Sequence, residues 1–359
     1  DATAGTGTIA KYLYSKDNGV SYVQSANNTY TFTGLDKGTY NIKAYVQDSN
    51  GKNSEIISKT IEITSITLAD YVKSLYTGTQ GANNIYYHDS TLTNGANDNS
   101  YRYAGANPNN YVCFGSKATS CPTDNLYRII GVFGNQVKLI KYDYANSNLL
   151  GTDGDYYGKY TYSSSTYKGS NYANIASYYW NNSSQNNTWS ESLLNKTNLN
   201  TNFINNIGTE WAQKIAETTW KVGGFIGGVN NSSQPAKAVY QNEINSSPSV
   251  NKKIGLMYAS DYGFAAAQSA WTRKLSYDSG NGYSNAAVTS VNWMYMGLYE
   301  WTISRDADYS DDAFLVDGDG HVDNDHVYNG RGVRPSFNLE SAITYVSGSG
   351  SAADPILIN

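Results

Sequence analysis

The sequence predicts two domains, a small all-β domain followed by a larger α+β domain. The chain has 359 residues, more than one compact domain usually needs. Its first sixty-odd residues alternate apolar and polar side chains between turn signals, whereas helical spacing begins near Ser65. Beyond that point, strand-like and helical segments are mixed and do not alternate regularly. The predicted domains are therefore residues 1–65 and 66–359.

Short alternating runs predict the strands of the first domain, which we expect to be a β-sandwich. They lie around Val20 and Tyr22, Tyr30 and Phe32, 40–46 and 56–63. The turn signals between them are Asn18-Gly19, Gly34, Lys37-Gly38 and Asn50-Gly51. Residues 35–40 are typical of a tyrosine corner, and the stretch resembles the Ig-like or fibronectin-type modules of bacterial surface proteins. The alternative is a hairpin region that belongs to the larger domain.

Periodicity also predicts the elements of the second domain. A helix begins after Thr67, with Thr67 and Asp70 as a capping pair. Further helical patterns cover 193–207, 210–219 and 261–270. Strand patterns cover 126–132 and 137–142 and recur after Tyr299. Long polar stretches such as 153–182 lie between them, and loops of this length usually serve a function or pack on themselves.

Composition excludes several classes of partner. The 25 Lys and Arg are spread thinly in a chain of net charge −5, so no basic stripe can neutralise a nucleic-acid backbone. The sequence has no run of about eighteen apolar residues, so we expect no direct membrane insertion of this segment. Few charges and much Tyr, Asn, Ser and Gly favour an extracellular surface of adaptable contacts. Because the chain begins at Asp1 without a signal peptide, we expect it to be part of a longer protein attached to a cell surface through another segment.

The residues that usually carry metal or nucleophile chemistry are scarce. The sequence contains only two cysteines and three histidines, so we do not expect a zinc site built from these residues. Cys113 and Cys121 bracket a short polar segment and are a disulfide candidate with Cα atoms within roughly 7 Å, the alternative being two free thiols. No nucleophile elbow, P-loop or dinucleotide fingerprint occurs. The sequence therefore predicts no cofactor and no catalytic residue.

The acidic stretch 317–325 resembles a calcium loop at first sight. Aligning Gly320 with the invariant glycine of an EF-hand places Leu315 at the first ligand position and His326 at the bidentate one, and neither fits. A looser lectin-type calcium site stays open, but a solvated acidic turn is the favoured interpretation. No metal is predicted.

Residues 302–339 have an unusual composition. They contain no Lys, Gln, Glu, Met or Trp, while eight Asp lie between Asp306 and Asp325. Asn codons randomised at their adenines yield only codons that end in a pyrimidine, which cannot encode any of those five absent residues. The unusual side chains alternate with a regular apolar frame that includes Phe314, Val316 and Val322. The pattern indicates exchangeable positions set between packed ones.

These residues resemble a known family. The segment MYMGLYEWTISR, the pattern AF-x-V-x-x-x-G-x-V and the ending GVRPSFNLESAITYVSGSGSAADPI are similar to the variable region of C-type-lectin-fold proteins diversified by retroelements. The segments NNYVCFG, CPTDNLYRIIGVF, VKLIKYDY and IGLMYASDYGFAA extend the resemblance to surface proteins of gut Firmicutes that carry an Ig-like module. Formylglycine-generating enzymes share this fold but use a cysteine pair near their C-termini. Nothing after Cys121 is a cysteine, so the resemblance implies the fold without that chemistry.

The resemblance implies a C-type-lectin-like domain with a variable region at about 302–335. Its ligand-binding, exchangeable positions would be Asp306, Asp308, Tyr309, Asp311, Asp312, Leu315, Asp317, Asp319, His321, Asp323, Asp325, His326, Tyr328, Asn329 and Arg331. Its frame would be Phe314, Val316, Gly320, Val322, Val327, Val333, Arg334 and Phe337. We expect the exchangeable side chains to face solvent on one patch and the apolar frame to point inward.

The first hypothesis for function is a non-enzymatic surface recognition protein that binds an unknown protein or glycan on a host, microbial or phage surface. Exposed Tyr and Asp side chains suit such contacts. The plain alternative is a set of solvated loops in a structural protein. A phage or prophage receptor-binding tip is a further alternative. The enzymatic alternative is an extracellular polysaccharide-acting enzyme whose sugar subsites would be formed by Trp180, Trp189, Trp211, Trp220, Trp271, Trp293 and Trp301.

Overall fold

The computed structural model describes residues 7–359 other than 33, 34, 36, 37, 119, 163–165, 226–233, 246, 247, 277–281, 284 and 285. The chain divides into two compact units, Asp1–Ile66 and Thr67–Asn359, which we call the N-terminal unit and the C-terminal unit. The division lies one residue from the one that the change of periodicity predicts. Both sheets and helices are present and strands predominate, which is compatible with the α+β class.

The described residues of the N-terminal unit form one antiparallel sheet of four strands. These are β1 (Ile9–Ser15), β2 (Val23–Ser25), β3 (Gly38–Asp48) and β4 (Ile57–Ile63), in the order β2-β1-β3-β4. Asn18 and Gly19 both have positive φ, as their turn signal predicts. The two central strands β1 and β3 supply the buried apolar residues Leu13 and Val46.

The predicted sandwich differs from this sheet, because the described residues of the unit make no second sheet. Tyr30 and Phe32 lie outside any strand. Their rings pack instead, with Tyr30 stacked 5.5 Å from Tyr14 and Phe32 set edge-on to Tyr30 at 5.0 Å. Ring packing has therefore taken the place of strand pairing in this stretch. The turn residues Gly34 and Lys37, and Asp36 of the tyrosine-corner segment, lie outside the described residues.

The C-terminal unit contains short helices and many short strands. Among the described residues, the α-helices are α1 (Leu68–Ser74), α2 (Ser147–Leu150), α3 (Ile204–Asn206), α4 (Thr209–Ala212), α5 (Ala236–Asn245), α6 (Ala259–Ala265) and α7 (Ala286–Thr289), and a π-helix covers Leu194–Phe203. Single-turn 3₁₀ helices cover Ala82–Asn84, Thr123–Asn125, Tyr172–Asn174 and Gln268–Ala270. Its strands are β5 (Ile85–Tyr87), β6 (Tyr101–Tyr103), β7 (Tyr111–Cys113), β8 (Leu126–Phe133), β9 (Gln136–Lys141), β10 (Tyr156–Lys159), β11 (Ala176–Tyr178), β12 (Thr218–Lys221), β13 (Gly224–Phe225), β14 (Ser249–Lys252), β15 (Ile254–Gly255), β16 (Glu300–Asp306), β17 (Asp312–Val316), β18 (Val322–His326), β19 (Ser336–Asn338), β20 (Tyr345–Ser347) and β21 (Leu357–Ile358).

Two sheets organise this unit. The larger has seven strands in the order β15-β19-β9-β8-β6-β5, with β7 also paired to β8. The smaller has four strands in the order β13-β16-β17-β18, and β13 is its parallel member. The pairs β10-β11, β12-β14 and β20-β21 complete the described strands. Because β19 follows the smaller sheet along the chain and pairs with β9, the last segments of the chain connect both sheets.

Several sequence predictions agree with these elements, but two predicted helices end early. The helix predicted over 261–270 ends at Ala265, because Ala266 has an extended backbone. Thr67 caps α1 by accepting the backbone N–H of Asp70 at 3.0 Å. Cys113 and Cys121 form a disulfide with Cα atoms 5.7 Å apart. The helix predicted over 210–219 is wrong in its second half, because Thr218–Lys221 is a strand paired with β14. Among the described residues, no helix is long and apolar enough to cross a membrane.

Candidate recognition surface

The sequence-predicted positions lie in and around the β17–β18 hairpin. Asp312 pairs with His326 and Val316 pairs with Val322, so the hairpin is antiparallel over five residue pairs. β17 also pairs with β16, which makes β17 a central strand and β18 the edge strand among the described residues. The loop between β16 and β17 and the residues after β18 complete the candidate surface.

Strand β17 is buried on both of its faces. Phe314 and Val316 belong to one apolar core, where Phe314 stacks on Phe225 with ring centroids 3.8 Å apart. Ala313 and Leu315 belong to a second core. The predicted exposure of Leu315 is therefore wrong, because alternation sends neighbouring side chains to opposite faces and here both faces are packed. The inward orientation predicted for the apolar frame agrees with the burial of Phe314, Val316, Val322 and Val333.

Asp306 and Asp312 are also buried, contrary to the prediction that they face solvent. The amide of Asn324 donates to Oδ2 of both carboxylates at 3.0 Å. Asp306 Oδ1 accepts the backbone N–H of Asp308 at 2.8 Å, and Asp312 Oδ1 lies 2.7 Å from His326 Nδ1. Burial raises the pKa of both carboxyls. Both side chains therefore hold the loop and the edge strand together and are not available for ligand contact.

Asp317 is the fourth position that the structure corrects. Its side chain is buried because Oδ1 accepts the backbone N–H groups of Asp319, Gly320 and His321 at 2.8–3.1 Å. Its Oδ2 lies 2.9 Å from His321 Nε2. Burial opposes the charge on His321, but the hydrogen bond and charge of Asp317 prevail and raise the pKa of that imidazole. Asp317 therefore shapes the turn between β17 and β18.

Gly320 is required in this turn by its backbone. Its φ is +94°, a region that side chains disfavour, and an added Cβ would lie 2.3 Å from Thr289 Cγ2. Its carbonyl accepts the Tyr262 hydroxyl at 2.6 Å. The prediction of Gly320 as a frame residue is consistent with this geometry.

Eleven of the fifteen predicted positions are exposed or half-buried, and we call these the rim positions. They are Asp308, Tyr309, Asp311, Asp319, His321, Asp323, Asp325, His326, Tyr328, Asn329 and Arg331. Tyr309 is the most open of the tyrosines among them, at 56% exposure. The rim positions include five aspartates and one arginine, a formal charge of −4 with both histidines neutral. The surface is therefore acidic.

Contacts among the rim positions fix their geometry near the end of β18. Asp325 receives two hydrogen bonds from Arg331, Nε at 2.8 Å and Nη2 at 2.6 Å, and one from the Asn329 amide at 2.6 Å. The rings of His326 and Tyr328 stack with centroids 4.9 Å apart. These neighbours make a surface of paired, orientated side chains rather than a set of separate ones.

Asn187 is a supporting residue that sequence reasoning missed. Its amide donates to the backbone carbonyls of Asp306, Tyr309 and Asp312 at 2.7–2.9 Å, and its own N–H donates to the carbonyl of Ser310 at 2.7 Å. It is buried and anchors the loop between β16 and β17. It lies in a stretch rich in Asn and Ser, where composition gives no signal that separates one Asn from the others.

Two alternatives from the sequence gain no support from the geometry. All seven tryptophans are buried, so none can serve as a sugar-stacking platform at the surface. Asp311, Asp312 and His326 place ligand atoms within 4.8 Å of one another, which is compatible with a metal ion. The 2.7 Å contact between His326 and Asp312 already accounts for that proximity. Neither feature carries an assignment of catalysis or of a metal.

Comparison with known proteins gives one match. A family model described as "Domain of unknown function (DUF6273)" matches residues 135–341, which include every rim position and Asn187. Neither the curated proteins nor the solved structures include a match to the chain. The matched region covers more than half of the 359 residues and runs from the turn before β9 to just beyond β19. This chain belongs to the DUF6273 family.

Proposed function

We propose that the C-terminal unit is a non-enzymatic recognition domain that binds a protein or glycan through the rim positions. One observation carries the proposal: the fifteen predicted positions separate cleanly into two groups. Four are buried and hold the hairpin and its loops, while eleven reach the surface on that frame. A rigid frame beneath accessible side chains suits a binding surface, because little conformational freedom is then lost on binding.

The rim positions suit exchange of side chains. Asp323 and Asp308 are exposed at the edge strand and the β16–β17 loop. Surface substitutions away from caps, cores and buried hydrogen bonds usually change stability by less than about 0.5 kcal/mol. Diversification of exposed positions such as these would therefore alter binding without loss of the fold.

The proposal includes a C-type-lectin-like fold, diversification by a retroelement and an extracellular location. The first two rest on the family resemblance of residues 302–339 and on their amino-acid composition, which is the one expected from Asn codons randomised at their adenines. The disulfide between Cys113 and Cys121 supports the third, because disulfides persist in oxidising compartments. The N-terminal unit would be a spacer module in the same surface protein.

A structural role competes with recognition. An acidic edge strand also prevents edge-to-edge pairing of sheets, and β18 carries Asp323 and Asp325. Under that role the residues need only be charged, and their identities would not determine binding. The two roles can be separated by changing which side chain stands at which position while keeping the composition constant.

The test is a display library of the full chain in which the eleven rim positions are randomised. A matched library randomises Asp306, Asp312, Leu315 and Asp317 together with seven exposed positions elsewhere in the C-terminal unit. Both libraries are selected against two unrelated immobilised proteins, an albumin and an immunoglobulin fragment. We expect folded binders to both targets from the rim library alone, with melting temperatures close to the parent's.

The proposal fails if the rim library is mostly unfolded or gives no binders. It also fails if rim clones selected on one target bind the other equally well, since nonspecific adhesion would then explain capture.

A further inference from the structure

Three exposed tyrosines outside the variable positions lie directly against the rim. Tyr157, Tyr162 and Tyr299 are 52%, 49% and 36% exposed, and we call them the aromatic wall. Tyr157 belongs to β10 and Tyr162 follows that strand, within the long polar stretch that the sequence marks as functional or self-packed. Tyr299 immediately precedes β16.

The backbone connects the wall to the rim. Tyr178, at the end of β11, exchanges two hydrogen bonds with Arg331, N–H to carbonyl at 2.9 and 3.0 Å. β11 pairs with β10, the strand that carries Tyr157. The Tyr157 ring also packs on Gly330, where an added Cβ would lie 2.4 Å from it. Tyr157 is therefore held directly beside the rim residues that flank Gly330.

Arg331 shows what this surface can hold. Its guanidinium lies 5.1 Å from the Tyr162 ring centroid and 5.0 Å from that of Tyr299. Asp325 accepts two hydrogen bonds from the same guanidinium. A cation between tyrosine faces and opposite a carboxylate is a favourable arrangement for arginine. The molecule thus contains one complete example of guanidinium recognition.

Other aspartates and tyrosines lie beside it and are partly or fully exposed. Asp319 and Asp323 are exposed, and the Tyr299 ring lies beside Gly318, the residue before Asp319, where an added Cβ would lie 3.6 Å from Tyr299 Cε2. Tyr157 presents half of its surface, and Tyr309 is next to Asp308 in sequence. The rim has a formal charge of −4, so its field attracts cations.

We propose that the wall and the rim together form one docking surface for a basic protein segment, whose arginine or lysine side chains contact the parts of Tyr157, Tyr162 and Tyr299 that remain exposed beside Arg331 and pair with Asp319 and Asp323. This inference rests on the proposed recognition function and names its class of partner. Charge complementarity and the internal Arg331 example favour a basic protein segment over a neutral glycan.

The probe is a fluorescein-labelled peptide of Gly and Ser with four spaced arginines, and its partner peptide carries glutamate at the same positions. Binding to the full chain is measured by fluorescence anisotropy at about 10 mM and about 1 M salt, where the Debye length is roughly 30 Å and roughly 3 Å. A neutral oligosaccharide ladder is measured in competition. We expect saturable binding of the arginine peptide alone, weakened at high salt.

The variants separate the surface from the overall charge. D319N/D323N removes two charges from the rim, and D70N/E340Q removes two exposed charges elsewhere in the C-terminal unit. Tyr157→Ala and Tyr162→Ala are compared with Tyr30→Ala, an exposed tyrosine of the N-terminal unit. We expect Kd to rise about tenfold in D319N/D323N and in each wall variant. The change in the controls should be less than about twofold.

The inference is overturned if the arginine peptide does not saturate, if the glutamate peptide binds as tightly, or if D70N/E340Q weakens binding as much as D319N/D323N does. Competition by neutral oligosaccharides would assign the surface to glycans and also overturn it. Where Tyr162→Ala lowers the melting temperature, the isosteric D319N/D323N variant decides the outcome. The rim library is selected on targets of any charge, so its result stays independent of this one.

Discussion

The two strands of the β17–β18 hairpin pair residue for residue but have opposite environments. Every residue of β17 is buried, whereas after Val322 the residues of β18 are exposed or half-buried. β17 lies between β16 and β18 with an apolar core on each face, and β18 is the edge. Both faces of β17 are covered, so only β18 has side chains that solvent can reach. The comparison shows that, within this hairpin, the position of a strand in the sheet decides which of its residues reach the surface.

The largest expected effect tests the buried strand β17. Phe314 is buried against Phe225, and replacement by Ala should lower the free energy of unfolding by about 3–5 kcal/mol, because loss of the ring leaves a cavity in their shared apolar core. Tyr309→Ala on the adjacent loop is the matched control, with an expected change within about 0.5 kcal/mol. Denaturant unfolding of both variants measures the difference. Equal losses would mean that the loop belongs to the frame.

Local features of the fold were predictable where the interactions that form them join residues close in sequence. The β-branched and aromatic run at 126–142 predicts β8 and β9, and the small residues between Cys113 and Cys121 allow their disulfide. Thr67 caps its own helix through a residue three positions away. Each of these depends on contacts within about fifteen residues of sequence.

The missed features depend on contacts between distant segments. Asn187 holds a loop about 120 residues further along the chain, and no local pattern separates it from neighbouring asparagines. The sequence does not reveal the burial of Leu315 and Asp317, because the groups that bury them come together only on folding. Leu315 packs into an apolar core, and Asp317 accepts backbone N–H groups of the turn. The strand at Thr218–Lys221 forms through pairing with β14, which helical spacing in 210–219 does not reveal.

A smaller effect tests the support beneath β16. Glu243 in α5 is fully buried and accepts hydrogen bonds from the hydroxyls of Ser260 and Ser304, the latter on β16. Burial raises its pKa to about 7 from an ordinary 4.5, against the lowering effect of those hydroxyls. The folded state then holds a proton that the unfolded state has lost, so stability is greatest below pH 4.5 and declines as pH rises through about 7.

Glu243→Gln should therefore match the wild type near pH 4.5 and exceed it by about 3 kcal/mol above pH 8. Unfolding curves of both proteins from pH 4.5 to 9 measure this difference. Ser304→Ala, which removes one donor, serves as a control for the hydrogen bond. A constant offset between wild type and E243Q across the whole range would show that Glu243 is not the titrating group.

The smallest effect separates two aspartates of the same hairpin. Asp317 accepts three backbone N–H groups and pairs with His321, so Asp317→Ala should lower the free energy of unfolding by about 1–3 kcal/mol. Asp323 is an exposed residue of β18, and Asp323→Ala should lower the free energy of unfolding by less than about 0.5 kcal/mol.

Thermal melts of both variants and the wild type, with and without a chelator, measure this contrast. Backbone donors already occupy Asp317 Oδ1, so we expect melting temperatures that do not respond to chelator. If chelator lowers the melting temperature of the wild type but not that of the Asp317 variant, the turn holds a metal ion and is not maintained by its own N–H groups. If the Asp323 variant is destabilised as much as the Asp317 variant, the edge strand belongs to the frame. The separation between buried supporting residues and accessible side chains would then be lost at the hairpin where it is clearest.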